Sequence, residues 1–156
     1  MRRALAVVIA AAFWPFTTTA QSVPKIDIVY PPGGSLFDRG CQKITGKAAD
    51  PDRIAKVVAK QPEFQAAWEE FGPTYLRTAI EIVGRPFPYP AMQVALTVCE
   101  IGGVGMSMPL MIAPERFMRD RNDPLGYHEM WEFAEITFHE LMHNYARDTY
   151  ETSALR

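Results

Sequence analysis

Histidine and cysteine are scarce in this chain: its 156 residues hold three of the first and two of the second. Two cysteines are too few for a Cys-rich zinc site. They leave Cys41 and Cys99 as either one disulfide or two buried thiols. Basic residues are not in excess, with 16 Lys and Arg against 18 Asp and Glu, which argues against a nucleic-acid binder that needs a basic face. No internal repeat or low-complexity tract occurs. Gly33 and Gly34 have no Gly-Lys-Ser/Thr after them, so Pro31-Pro32-Gly33-Gly34 reads as a turn and not as a phosphate loop.

What is present begins with a leader. Arg2 and Arg3 precede an apolar run from Ala4 to Phe13, Pro15 breaks it, and Thr18-Thr19-Ala20 offers a small-residue cleavage site. The run is too short for a permanent membrane anchor; an uncleaved anchor or a buried N-terminal helix is the competing reading. Residues 1–20 are therefore expected to be a signal peptide cut after Ala20, and the protein to be secreted or periplasmic with no stable membrane anchor. Its loss removes two of the 16 basic residues and no acid, leaving 14 against 18 and a net charge of −4. With 48% hydrophobic and 12% aromatic residues, the remainder is globular.

Residues 21–49 read as an irregular N-terminal segment with one short strand, Ile26 to Tyr30. Asp50-Pro51 has the form of an N-cap followed by proline at the first helical position, and predicts a helix to about Lys60. Pro62 predicts the start of a second helix carrying Phe64, Ala67, Trp68 and Phe71. Gly72-Pro73 predicts its end and the start of a third, closed by Gly84. These aromatic stripes suit core packing better than a ligand pocket. Alternating prolines make Arg85 to Pro90 an extended connector. Met92 to Cys99 alternates as a strand. Met106 to Ala113 reads as a second strand, and Pro109 places it at a sheet edge. Met106, Met108 and Met111 suit core filling better than metal ligation. Asp123 to Gly126 reads as a turn, and a long helix is expected from about His128 to Arg147.

That helix carries His139-Glu140-Leu141-Met142-His143. Residues four apart lie one above the other on a helix, so both imidazoles can reach one Zn²⁺. Glu140 is then placed to act as general base on a metal-bound water. Between Ile136 and Ala146 no other side chain is charged, as expected for a helix set against a core.

With this motif and the order of elements before it, residues 50–156 resemble the zincin metallopeptidases. The specific match covers Ile136 to Tyr145, and the architectural one residues 50–147. The resemblance implies an α+β fold, the N-terminal half of a zincin-like domain, in which several helices and a small sheet pack on the motif helix. It implies zinc as cofactor, His139 and His143 as ligands, Glu140 as catalytic base, and a peptide or protein substrate added as one more strand on the sheet edge. A metzincin would need glycine and histidine where this chain has Ala146 and Thr149. An aspartate-ligand type would need a downstream Gly-Thr-x-Asp, and none occurs. The resemblance is therefore to a gluzincin-like type, and the chain is expected to be a C-terminally truncated relative whose third ligand is either lost or encoded past Arg156.

Within the chain, the third ligand has four candidates. Glu135 and His128 lie on the same helix, and three ligands at i, i+4 and i+8 span about 12 Å, too far to close on one ion. Asp148 and Glu151 would return only if the helix broke soon after His143. Tyr145, Tyr150 and Arg147 are candidate donors to an oxyanion. Two rival functions remain: a catalytically inactive zinc-binding remnant, and a non-enzymatic exported domain whose motif arose by chance.

Overall fold

The computed structural model describes residues 22–99, 105–119, 122 and 129–154, with side chains described as far as Thr149. The expected signal peptide, the turn at 123–126 and His128 lie outside the described residues. Among the described residues three α-helices and one four-stranded sheet make an α+β fold, as expected.

Strand β1 (Lys25–Val29) alternates outward and inward residues, and its Ile26 and Ile28 are buried. It runs parallel to β2 (Ala91–Leu96), with Ile26 opposite Met92 and Ile28 opposite Val94, so the apolar positions fall on one face. Parallel neighbours need a long crossover. Two helices supply it: α1 (Leu36–Thr45) and α2 (Pro51–Val83). Beyond β2 lie β4 (Leu110–Ile112), parallel to it, and β3 (Gly105–Ser107), antiparallel to β4. The sheet order is β1-β2-β4-β3. Helix α3 (Met130–Ala154) packs on α2 and on β3.

The core joins Ile26, Ile28, Val94 and Leu96 of the sheet to Phe64, Trp68 and Leu76 of α2 and to Phe133 and Leu141 of α3. Phe64 and Phe133 meet with ring centroids 4.6 Å apart and Phe117 stands edge-on to Phe133 at 5.4 Å. These contacts anchor the start of the motif helix.

Several local expectations need correction. The segment 21–49 is not irregular: besides β1 it holds α1. Ser35 caps that helix in a reciprocal capping box with Asp38, and Gly46 closes it in the left-handed conformation. The three helices expected between 50 and 84 are one helix of 33 residues with Pro62 and Pro73 inside it. Proline inside a helix frees the carbonyl four residues back. At Pro62 and Pro73 those carbonyls belong to Val58 and Glu69, both exposed residues, where water can satisfy them. Gly72 lies within the helix under Trp68, where a Cβ would stand 2.4 Å from the indole ring, so the position has room only for glycine. The single strand expected from Met106 to Ala113 is a hairpin. Met108-Pro109, joined by a cis peptide bond, forms the turn, so the proline falls where no ladder donor is needed. The edge strand is β3, and β4 is interior.

Cys41 and Cys99 form a disulfide, with Cα atoms 5.6 Å apart, which ties α1 to the end of β2. Beside it lies Asp38, only 8% exposed. Its Oδ1 accepts from Thr97 Oγ1 at 2.8 Å and from the backbone N–H groups of Val98 and Cys99 at 2.9 and 3.0 Å; Oδ2 accepts from Ser35 N at 3.1 Å. Burial alone would raise the carboxyl pKa. The donors from Thr97, Ser35 and the amides outweigh it, and the net direction is downward. A depressed folded-state pKa contributes stability above the unfolded value of about 3.9 and loses it as pH falls through the folded value. The urea midpoint of the wild type should thus drop as pH falls below about 4. Asp38→Asn should flatten that acid limb and cost about 2 kcal/mol at neutral pH through poorly met donors. An acid limb unchanged in Asp38→Asn would remove Asp38 as its source.

The two sheet edges differ. On β1, Gln65 Oε1 accepts from Ile28 N at 2.7 Å and Gln65 Nε2 donates to Ile26 O at 3.2 Å; Gln61 Oε1 accepts from Tyr30 N at 3.0 Å. Side chains of α2 thereby occupy the backbone groups that an edge strand would otherwise offer. The β3 edge faces α3.

Candidate metal centre

Helix α3 sorts its residues by face. Thr137 and Leu141 are fully buried, and Asn144 and Tyr145 nearly so. Phe138 packs its ring against Tyr75 of α2 at 5.5 Å. His139 and His143 fall on the exposed side, and Glu140 is half-buried between the two faces. The buried side fixes the rotation of the helix, which in turn fixes where the imidazoles stand.

Those imidazoles converge. Their Nε2 atoms are 3.0 Å apart, and the rings meet edge to face at 82° with centroids at 4.7 Å. Two nitrogens on one tetrahedral zinc, each about 2.05 Å from the ion, would be about 3.3 Å apart. The observed separation lies within a few tenths of an ångström of that value. As a donor set, a pair of imidazole nitrogens on an exposed helix face suits zinc. It is also incomplete: among the described residues no group of three or more His, Cys, Asp or Glu side chains is placed to hold a metal ion.

Glu140 points toward the start of β3. A Cβ built on Gly105 would stand 2.8 Å from both Glu140 Cγ and Glu140 Oε1. Only glycine at 105 leaves room for the carboxylate where it stands. Gly105 pairs with Ile112 in the hairpin, so the carboxylate, next on the helix to His139, lies over the first residue of β3.

Comparison of the chain with protein-family models, with curated proteins and with solved structures finds no match. The chemistry of the centre rests on its own geometry.

The remaining sequence candidates are placed as follows. Asp148 accepts from Arg147 Nε at 2.7 Å and from Tyr89 Oη at 2.8 Å. The Arg147 contact lowers its pKa against a smaller opposing effect of burial, with Tyr89 helping. Its carboxylate is thus engaged on a neighbouring guanidinium and not at the histidines. Helix α3 continues without a break to Ala154, so the tight return that would bring Glu151 back does not occur. Glu135, one turn before His139, is exposed on the same continuous helix. Tyr145 is no oxyanion donor: it is 2% exposed, donates its hydroxyl to Arg85 O at 2.5 Å and stacks on Phe87. Arg147 is held by Asp148 and by Asn144 Oδ1, the latter at 2.8 Å. The Tyr150 side chain lies outside the described residues.

Two residues of the site escaped the sequence reading. Gly105 stands just before the strand expected from Met106 to Ala113, and Asn144 lies in the uncharged flank of the motif. Neither position carries a local signal, because each matters through a contact between α3 and β3.

A cavity of about 270 Å³ lies elsewhere, lined by Tyr30, Gly33, Gly34, Asp38, Arg39, Ala49 and Ile54. Burial, with Asp38 beside it, pushes the Tyr30 phenol well above its ordinary pKa.

Proposed function

We propose that the protein is an exported zinc-dependent peptidase of zincin type, with His139 and His143 as metal ligands and Glu140 as general base. The observation that carries the reading is the convergence of two Nε2 atoms to 3.0 Å on an exposed helix face, with the Glu140 carboxylate from the same turn packed over Gly105 of β3. The Cys41–Cys99 disulfide supports export, since such bonds persist in oxidising compartments. Among the described residues no helix is long and apolar enough to cross a membrane.

Zinc, when bound, supplies the Lewis acidity that brings the pKa of a coordinated water to about 7. The protein's own groups do the rest. His139 and His143 would hold the ion through Nε2. Glu140, beside His139, takes the proton from the attacking water and returns it to the leaving amine. An extended peptide pairs with β3, the edge that no glutamine of α2 covers, and this lays its carbonyls along the strand facing Glu140.

The incomplete ligand set among the described residues favours a second reading, a zinc-binding protein without hydrolytic activity. Hydrolytic zinc centres use three protein ligands and leave a fourth position open. Metal analysis and peptide cleavage together separate the two. Chelator-stripped wild type should take up one zinc per chain, and His139→Ala and His143→Ala should each lose it. Zinc uptake without cleavage of any unstructured peptide would select the inactive binder. No uptake at all would end both readings.

A further inference from the structure

The residue that follows the motif joins the helix to the strand. Asn144 is 4% exposed. Its Nδ2 donates to Ser107 O on β3 at 3.0 Å and to Glu140 O one turn back at 3.2 Å. Its Oδ1 accepts from Arg147 Nη2 at 2.8 Å, and Arg147 is in turn held by Asp148, which accepts from Tyr89 Oη. The order of these bonds matters. An amide side chain can present either its oxygen or its nitrogen to a neighbour. Because the guanidinium carries only donors, it takes the oxygen and turns the NH₂ toward the strand. Tyr89 belongs to the connector before β2, so the chain of bonds starts on one loop and ends on the edge strand.

We propose that Asn144 is a positioning residue, held in orientation by Arg147, that clamps β3 against the motif helix at the level of Glu140. The inference rests on the peptidase reading and adds to it how the substrate-bearing edge is kept in register with the base. A strand of three residues, paired among the described residues with β4 alone, has little of its own to hold it. The clamp contributes that hold, and it does so at Ser107, two residues from the glycine against which Glu140 rests. Loosening it should spoil peptide pairing while leaving the metal ligands and Glu140 where they are.

Asn144→Asp tests this. The variant keeps the shape of the side chain and an acceptor for Arg147, but it has no N–H to give to Ser107 O. Hydrogen exchange of the Gly105–Ser107 amides should accelerate by about ten-fold while β1 and β2 are unchanged. KM for an unstructured fluorogenic peptide should rise about ten-fold, with kcat within a factor of two and zinc stoichiometry unaltered. Arg147→Gln, which leaves Asn144 in place but frees its amide to turn, should show the same pattern at about three-fold, and it serves if the first variant folds poorly. Unchanged exchange in both variants, or faster exchange with an unchanged KM, overturns the proposal. A wild type with neither zinc nor hydrolysis fails earlier: it sinks the peptidase reading and with it the positioning role, whatever the exchange rates.

Discussion

Glu140→Gln should bind zinc as the wild type does and lose peptide hydrolysis by about 10²- to 10⁴-fold, the range expected for removal of a general base. The substitution exchanges one carboxylate oxygen for an amide nitrogen and keeps the shape that fits against Gly105. It leaves both imidazoles untouched. What it removes is the capacity to accept a proton from water and pass it on. KM should therefore move little and kcat should carry the loss, the pattern of an interaction made in the transition state. Zinc stoichiometry by elemental analysis, measured beside steady-state kinetics, checks both halves. A variant with near wild-type kcat would remove Glu140 from the chemistry.

Gly105→Ala should reduce kcat/KM by about 100-fold, as misplacing a catalytic group by an ångström can do, with little loss of stability. The added methyl would stand 2.8 Å from Glu140 Cγ and Oε1 and 3.0 Å from Ile112 Cδ1. Gly105 is not among the glycines with positive φ, so alanine meets no backbone penalty there, and the conflict is purely one of space. The end of a glutamate side chain yields at small cost to folding, so the carboxylate moves and the fold stays. Thermal melting within a few degrees of wild type, combined with the kinetic loss, is the expected signature. Unchanged kinetics would show that Glu140 works from a position other than the one beside β3. A large drop in melting temperature would instead place the conflict at Ile112.

Much of the fold was readable from local pattern. The alternation of Ile26 and Ile28, and of Met92, Val94 and Leu96, gave two strands that the structure places side by side. Asp50-Pro51 and Gly84 gave the true ends of α2. Its interior misled: Pro62 and Pro73 read as breaks, yet the helix runs through both, and the residues four before them are exposed, so the freed carbonyls can reach water. Helix α1 was missed although Ser35-x-x-Asp38 spells a capping box. The neighbouring Pro-Gly run outweighed it, and the side chain that completes the box is also the one that binds the loop after β2. In the hairpin, proline spoke correctly against a central ladder position but could not say that the chain reversed there. The two cysteines left a bond and two thiols equally open; their meeting depends on the packing of α1 against β2, which no spacing encodes.

The neighbouring placement of His139 and His143 was legible in their spacing, since residues four apart share one face of an α-helix. The roles of Asn144 and Gly105 arise between elements far apart in sequence. Ser107 precedes Asn144 by 37 residues, and the pairing exists only once β3 lies against α3.

The glutamines on α2 have a consequence for self-association. A sheet with two open sides can be lengthened by one chain after another into a filament. Here Gln61 and Gln65 occupy the backbone groups along β1, so that side of the sheet offers no ladder to an incoming strand and a filament cannot grow through it.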